Sequence, residues 1–259
     1  MVADTTTETP RGREPLTTDL SPADLDRYAA TYYLNAEIED VDIEELAQQH
    51  SIPMIIDALG PVERILEMGY GTGLITRELL AAGVPVEVVE GSPALREHAM
   101  AAHPGLTVHL GMFESFVPDE PYDAVLALHV LEHVDRPGDL LAHLSSWVKP
   151  GGLIVAVTPN ARSIHRMLGV AMGLQDKLDD LSDRDHLVGH QRVYDLAWLS
   201  EEMTSAGLEV VSDFGYFVKP LANSQMLGWS RAVLDGLNAI SHQVPTDLCA
   251  NIGVVARKA

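Results

Sequence analysis

Residues 65–73, Ile-Leu-Glu-Met-Gly-Tyr-Gly-Thr-Gly, decide the fold. A short run of strand character ends near Glu67 and passes into Gly69, Gly71 and Gly73, and a helical pattern begins near Leu74. Glycines let the backbone turn sharply and come close to a ligand, while free N–H groups at a helix start attract an anionic group. Dinucleotide-binding proteins share this G-x-G-x-G spacing, so the loop by itself points to an adenosine cofactor without naming the chemistry.

Downstream, apolar runs of strand length alternate with helical patterns. VEVVE, LTVHL, YDAVLAL and LIVAVT are interleaved with TRELLAAG, PALREHAMAA and a helix around Asp139 to Val148. Such alternation builds βαβ units, and therefore an α/β, doubly wound fold whose parallel sheet carries helices on both faces. Glu90 closes VEVVE about twenty residues beyond the loop, where a carboxylate accepts hydrogen bonds from both hydroxyls of a ribose.

Upstream, residues 1–20 are rich in Thr, Glu, Pro and Arg and are expected to form a mobile tail. Ser21-Pro22, with Asp24 in the first turn, starts a helix carrying Tyr28, Tyr32 and Tyr33. A second helix covers Ile43 to Leu59, broken or restarted near Ser51 and Pro53 and ending at Gly60-Pro61. The alternation lapses after Pro159: residues 160–194 have helical stretches and no convincing strand. Then come a helix near Leu196 to Ala206, the segment LEVVSDFGYFVKP, a helical pattern from Met226 to Ile240 and the closing run NIGVVARK.

At 259 residues the chain suits one elaborated domain, residues 21–259, with N-terminal helices at 21–60 and a substrate-covering insertion at 160–194. Thirty-eight acidic residues against 17 basic give a net charge of -21, which repels a nucleic-acid backbone. There is neither a long apolar run nor a signal-peptide core, so a soluble cytoplasmic protein with no membrane partner is expected. A single cysteine, Cys249, excludes an intramolecular disulfide and a Cys-based zinc site.

In order along the chain, ILEMGYGTG, VVEGSP, GMFESF, YDAVLALHVLEHV, WVKPGGLIVAVTPN and NIGVVARK resemble the class I S-adenosylmethionine-dependent methyltransferases. L-E-H-V, K-P-G-G and T-P-N are similar to the small-molecule enzymes of the ubiquinone-biosynthesis type. The resemblance implies a seven-stranded sheet of order 3214576 with the last strand antiparallel, and a helical substrate cap. It also implies S-adenosyl-L-methionine as cofactor, with Glu67, Gly69, Gly71 and Gly73 holding its methionine part and Glu90 with Gly91 its ribose. Gly111, Met112 and Phe113 would meet the adenine, and His129 would stand where the fourth strand opens onto the transfer site. Tyr70 departs from the commoner Gly or Cys of that loop, its ring either covering the cofactor or pointing outward.

His129, Glu132 and His133 fall at i, i+3 and i+4 and share a face if the turn is helical. Two imidazoles and a carboxylate suffice for a divalent metal, with His186 completing the set. The resemblance extends to methyltransferases with E-x-x-E-H at this place, where a metal orients substrate oxygens; here His129 replaces the first acid. Without a metal, His129 or His133 is a candidate general base, assisted by His186 or His190. His133 is equally readable as structural, and His186 and His190 as surface histidines. Arg162, His165 and Arg166 form a positive group that either pairs with a carboxylate or phosphate of the substrate or salt-bridges to residues 176–185, while Arg192 belongs with Asp185, His186 and His190 to a second cluster expected to face the substrate. Tyr28 and Tyr32 close over the site or simply pack, and Tyr216 and Asn223 are placed on the far side of the pocket. The expected reaction is methyl transfer to an oxygen of a small polar metabolite. N- or C-methylation of a sugar or amino-acid derivative is the alternative, and a non-catalytic cofactor-binding module the alternative from another class.

Overall fold

The computed structural model describes residues 20–34 and 41–259; the tail expected at 1–20 lies, but for Leu20, outside the described residues. In chain order the elements are α1 (Pro22–Thr31), α2 (Val41–Leu59), β1 (Ile65–Met68), α3 (Leu74–Ala81), β2 (Val86–Glu90), α4 (Pro93–Ala102), β3 (Val108–Leu110), β4 (Tyr122–Leu128), α5 (Pro137–Ser145) and β5 (Val148–Pro159). There follow α6 (Ile164–Ala171), α7 (Asp183–Leu187), α8 (Leu196–Ser205), β6 (Leu208–Tyr216), α9 (Asn223–Met226), α10 (Arg231–Ala239) and β7 (Asn251–Lys258). The strands form one sheet of order 3214576. β1 pairs in parallel with β2 and β4, β4 with β5, and β7 runs antiparallel between β5 and β6.

The central strands are short apolar runs buried on both faces, as a helix-covered parallel sheet demands. On one side, Leu140, Leu141 and Leu144 of α5 and Leu199 and Met203 of α8 pack around Trp147 and the strand residues Leu66, Val125, Ile154 and Val254. On the other, Ile52, Ile55 and Leu59 of α2 and Ile75 and Leu79 of α3 meet Ile65, Ala124, Leu126 and Val155. Each such side chain contributes about 1.5–3 kcal/mol of burial free energy.

That burial explains one departure from expectation. Pro53 was expected to break or restart the second helix, yet α2 runs unbroken from 41 to 59. A proline inside a helix costs about 3 kcal/mol. Ile43, Leu46, Ala47, Ile52, Ile55 and Leu59 are all buried along one helix, which outweighs it. The segment from 160 to 194 carries two short helices, α6 and α7, joined by irregular chain, and no strand, apart from an isolated bridge between Asn160 and Tyr194 that ties its two ends together. Among the described residues no helix is long and apolar enough to cross a membrane.

Candidate active site

The carboxyl ends of β1, β2 and β4 open together onto a cavity of about 750 Å3. Gly69, Gly71 and Gly73 have φ of 77°, 54° and 76°, a left-handed path that side chains rarely adopt, and the loop wraps the cavity floor before α3 begins. Gly91 is needed for a different reason. A Cβ there would lie 2.5 Å from Leu25 Cδ1 and 3.2 Å from Met112 Sδ, so α1 crosses β2 at bare-backbone distance.

Two buried carboxyl groups define this end. Glu90 accepts the main-chain N–H of Tyr70 at 2.8 Å and of Ser92 at 2.7 Å, which aims it across the mouth of the loop. Burial raises its pKa, and those main-chain bonds oppose the rise. Glu67 accepts the Thr76 hydroxyl at 2.6 Å; burial, with Glu90 nearby adding to it, pushes its pKa up to about 8. Glu67 is therefore neutral at pH 7 and is ready to ionise when a cationic group arrives. Gly69, Gly71, Met112, Phe113 and His129 line the same cavity with them, and Gly73 stands behind it as the residue capping α3. Tyr70 neither covers the cavity as a lid nor points outward. Its ring is buried, packed under the loop against Leu95 and Ala99 of α4 and edge-on to His98 and His103.

The roof comes from the N-terminal helix. A capping box between Ser21 and Asp24 starts α1, and Asp26 accepts the Ser92 hydroxyl at 2.5 Å and the Ala94 N–H at 3.0 Å, pinning α1 to the start of α4. Tyr28, Tyr32 and Tyr33 then form a cluster with ring centroids 5.1 to 5.7 Å apart, facing the cavity. Burial pushes Tyr28 up to about 12, so it presents a neutral phenol. Tyr28 donates to the Val188 carbonyl at 3.1 Å and Tyr32 to Glu44 at 2.9 Å. Glu44 also receives Arg184 at 3.3 Å and Asn223 at 3.2 Å. One glutamate thus joins α1, α2, α7 and α9.

At the opposite wall the residues after β4 form a turn rather than the helix the i, i+3, i+4 spacing required. His129 has φ +56°, which ends the strand abruptly, and the His133 N–H donates to the Val130 carbonyl. The turn still brings His129 Nδ1 within 3.2 Å of Glu132, while His129 Nε2 lies 3.0 Å from the Tyr216 hydroxyl. Glu132 is fully buried, and its second oxygen, Oε2, has no hydrogen-bond partner. His133 and His190 meet edge-on at 4.8 Å, and ligand atoms of Glu132, His133 and His190 lie within 4.8 Å of one another. Burial, with the neighbouring His190 adding to it, pushes His133 down to about 4, so it is a neutral imidazole. Asp185 holds His190 Nδ1 at 2.8 Å and is itself held by Arg166 at 2.6 Å and by the Ser182 hydroxyl at 2.6 Å.

Of the residues expected as a cation set, His129, Glu132, His133 and His186, the structure brings together in one ligand group only Glu132 and His133, and adds His190 beside them. His186 sits on the exposed side of α7, away from the cavity, while both His129 nitrogens are engaged by Glu132 and Tyr216. The residues expected to bind an anionic substrate do not line the cavity. Arg162 pairs with Asp247 near the surface, and buried Arg166 is consumed by Asp185 and the carbonyls of Leu178 and Asp180. Arg192 donates to the carbonyls of Leu131, Val134 and Asp135 and so braces the histidine turn. His165 is half-buried away from the cavity, where loss of solvent pushes its pKa down to about 2. Tyr216 and Asn223 act through His129 and Glu44 rather than from the cavity wall. Tyr28 and Tyr32 line the cavity.

Sequence reasoning missed Glu44 and Gln191, whose amide donates to the His133 carbonyl at 2.6 Å and to Asp135 at 2.8 Å. Nothing in their local patterns marks them, because each acts only across the fold.

A family profile described as "Methyltransferase domain" matches residues 40–213. A malonyl-[acyl-carrier protein] O-methyltransferase of Halalkalibacterium halodurans is 33% identical over 111 residues, 39% of this chain and 41% of that protein. A ubiquinone biosynthesis O-methyltransferase of Bradyrhizobium sp. is 35% identical over 101 residues, 38% of this chain and 40% of that protein. The match thus spans about two fifths of these relatives. Among solved structures, an S-adenosylmethionine-dependent methyltransferase of Thermotoga maritima, described as a possible histamine N-methyltransferase, superposes over 92% of this chain and 97% of its own. Its TM-score is 0.61 at 18% identity.

Proposed function

The chain belongs to the class I S-adenosylmethionine-dependent methyltransferases, and from that premise we propose that it transfers the cofactor's methyl group to an oxygen of a small polar molecule. The observation that carries this reading is one cavity with two unlike ends: the glycine loop with Glu67 and Glu90, and the wall of His129 and His133. The methyl carbon leaves the sulfonium sulfur as its bond to the acceptor oxygen forms in line. The acceptor proton passes to a base, and S-adenosylhomocysteine remains.

In this reading the chain contributes alignment and exclusion of water. The glycine loop and Glu90 fix the cofactor, and Glu67 takes up negative charge as the ammonium of its methionine part docks. The tyrosine roof and Val188 close the acceptor side. The donors Glu132, His133 and His190 fit a divalent cation: the buried Glu132 Oε2 lacks a partner, two neutral-capable imidazoles stand beside it, and Asp185 orients one of them as outer carboxylates orient metal-bound histidines. A cation bound there would lower the pKa of an acceptor hydroxyl. In its absence His133, which lines the cavity, takes the proton, with His190 packed against it and oriented by Asp185.

Calorimetry with S-adenosylmethionine and S-adenosylhomocysteine, followed by product release on offering hydroxylated acceptors, tests the reading. Binding of both with methylation at oxygen is expected. Absent binding overturns it, and binding without turnover on any acceptor favours a cofactor-binding module. Elemental analysis of wild-type and Glu132→Gln protein tests the cation, which is expected in the first and lost from the second.

A further inference from the structure

The charged groups around the cavity bear on the acceptor's own charge. Among the described residues eight carboxyl residues line it and one guanidinium, Arg136, which sits at the exposed rim paired with Asp139 at 3.1 Å, and no lysine does. The guanidiniums nearby are committed elsewhere: Arg162 to Asp247, Arg166 to Asp185, Arg184 to Glu44 and Arg192 to main-chain carbonyls. Glu67 and Glu90 belong to the cofactor end, and Arg184 offsets Glu44. Asp24 pairs with Arg27 and Asp139 with Arg136, and Glu45, Glu114 and Asp135, the last accepting the Gln191 amide, also line the cavity in a chain whose net charge is already -21. A carboxylate or phosphate brought into this field finds, among the described residues, only cations already committed to other partners, and repulsion from several directions.

The roof adds a second, independent observation. Tyr28, Tyr32 and Tyr33 present aromatic rings to the cavity, and aromatic faces attract cations. Tyr32 already has one: the Arg184 guanidinium carbon lies 5.2 Å from its ring centroid.

We propose that the methyl acceptor is cationic: its oxygen is methylated while an amine of the same molecule, protonated at neutral pH, sits against the Tyr28 and Tyr32 rings within the field of the lining carboxylates. This rests on the reading of the cavity as a methyl-transfer site, and it replaces the anionic acceptor that the arginines had suggested.

The test uses full-length protein saturated with S-adenosylhomocysteine and matched probes differing only in charge. One set is tyramine, 4-ethylphenol and 4-hydroxyphenylacetate, and the other is 3-aminopropanol, butanol and 3-hydroxypropionate. Dissociation constants come from ligand-observed NMR. In at least one set the amine is expected to bind about tenfold more tightly than the carboxylate, as a cation–π contact in a partly desolvated site implies. That preference is expected to shrink at high salt. Glu45→Lys is expected to reduce it about threefold or more, with S-adenosylhomocysteine affinity reporting that the variant is folded. Equal or tighter carboxylate binding overturns the proposal, as does a failure of every probe to bind at millimolar concentration. Failure of S-adenosylhomocysteine itself to bind strikes instead at the underlying reading.

Discussion

The two ends of the cavity are built by opposite means. The cofactor end, residues 67–73 and 90–113, is made of consecutive backbone: left-handed glycines, a missing Cβ at Gly91, and main-chain N–H groups that fix Glu90. The acceptor end is made of side chains from remote segments, with Tyr28, Glu44, Glu132, Asp185, Val188 and Tyr216 meeting across as many as 160 residues. A motif can encode the first because its parts are neighbours in the chain. The second exists only after folding, and its residues can drift in sequence without leaving a pattern. Substitutions at the cofactor end should therefore cost cofactor affinity, whereas those at the acceptor end should cost stability or acceptor kinetics and leave the cofactor alone.

The largest separation is expected from Glu90→Ala. It strands the N–H groups of Tyr70 and Ser92 and removes the proposed ribose contact. With roughly 1–3 kcal/mol for each unmet group, S-adenosylhomocysteine affinity should fall about a hundredfold in calorimetry. A change under threefold would show that the cofactor end does not depend on this carboxylate.

Asp185→Asn is the counterpart at the acceptor end. It leaves the buried Arg166 guanidinium without its charged partner and releases His190. Breaking a buried pair costs about 3–5 kcal/mol, so the midpoint of thermal unfolding should drop by roughly 6–12 °C. Cofactor affinity at 15 °C should stay within threefold of wild type. A loss of affinity comparable with that of Glu90→Ala would mean that the two ends are coupled.

This contrast also accounts for what could be read from residues alone. The alternation of strands and helices, the glycine loop and Glu90 were legible because strand period, glycine spacing and the acid ending β2 are local, whereas the strand order came only through the family resemblance. Residues 129–133 were legible as a cluster and not as a geometry: the spacing implied a helical face, and His129 at φ +56° makes a turn instead. Arg166 takes the second of its two expected readings, pairing within residues 176–185 with Asp185 and the carbonyls of Leu178 and Asp180. Arg192 was misread, because an arginine in an acidic chain looks like an anion receptor until its position shows it consumed by three carbonyls. Glu44 is one acid among several in α2, and nothing in IEELAQQH distinguishes it from a solvated one.

Glu67 gives the comparison a pH axis. Its folded pKa of about 8 lies above the ordinary carboxyl value, so the folded protein binds more protons than the unfolded chain between about pH 4.5 and 8. The stability of the unliganded protein should accordingly fall as pH rises through that window. Binding a cationic methionine moiety should reverse the trend by ionising Glu67 and releasing a proton. Cofactor affinity is expected to rise up to about tenfold between pH 6.5 and 7.5. Calorimetry in buffers of different ionisation enthalpy should detect the proton, and Glu67→Gln should abolish both effects. A flat affinity profile in wild type would assign the loop end to some other contact.

The smallest effect is expected from Tyr216→Phe, which tests the acceptor end without opening a cavity. The hydroxyl sits 3.0 Å from His129 Nε2 and, with Glu132 on Nδ1, holds the ring between two partners. Its removal should cost about 1 kcal/mol of stability, because one modest hydrogen bond is lost and the ring volume is kept. Cofactor affinity should not change, and kcat/KM for an accepted substrate should fall less than tenfold, since Glu132 still orients the imidazole. If His129 served directly as the base, freeing Nε2 should instead raise kcat or displace the acid limb of its pH profile. A fall beyond a hundredfold would place Tyr216 among the reacting groups and move the chemistry from the Glu132, His133 and His190 cluster to His129.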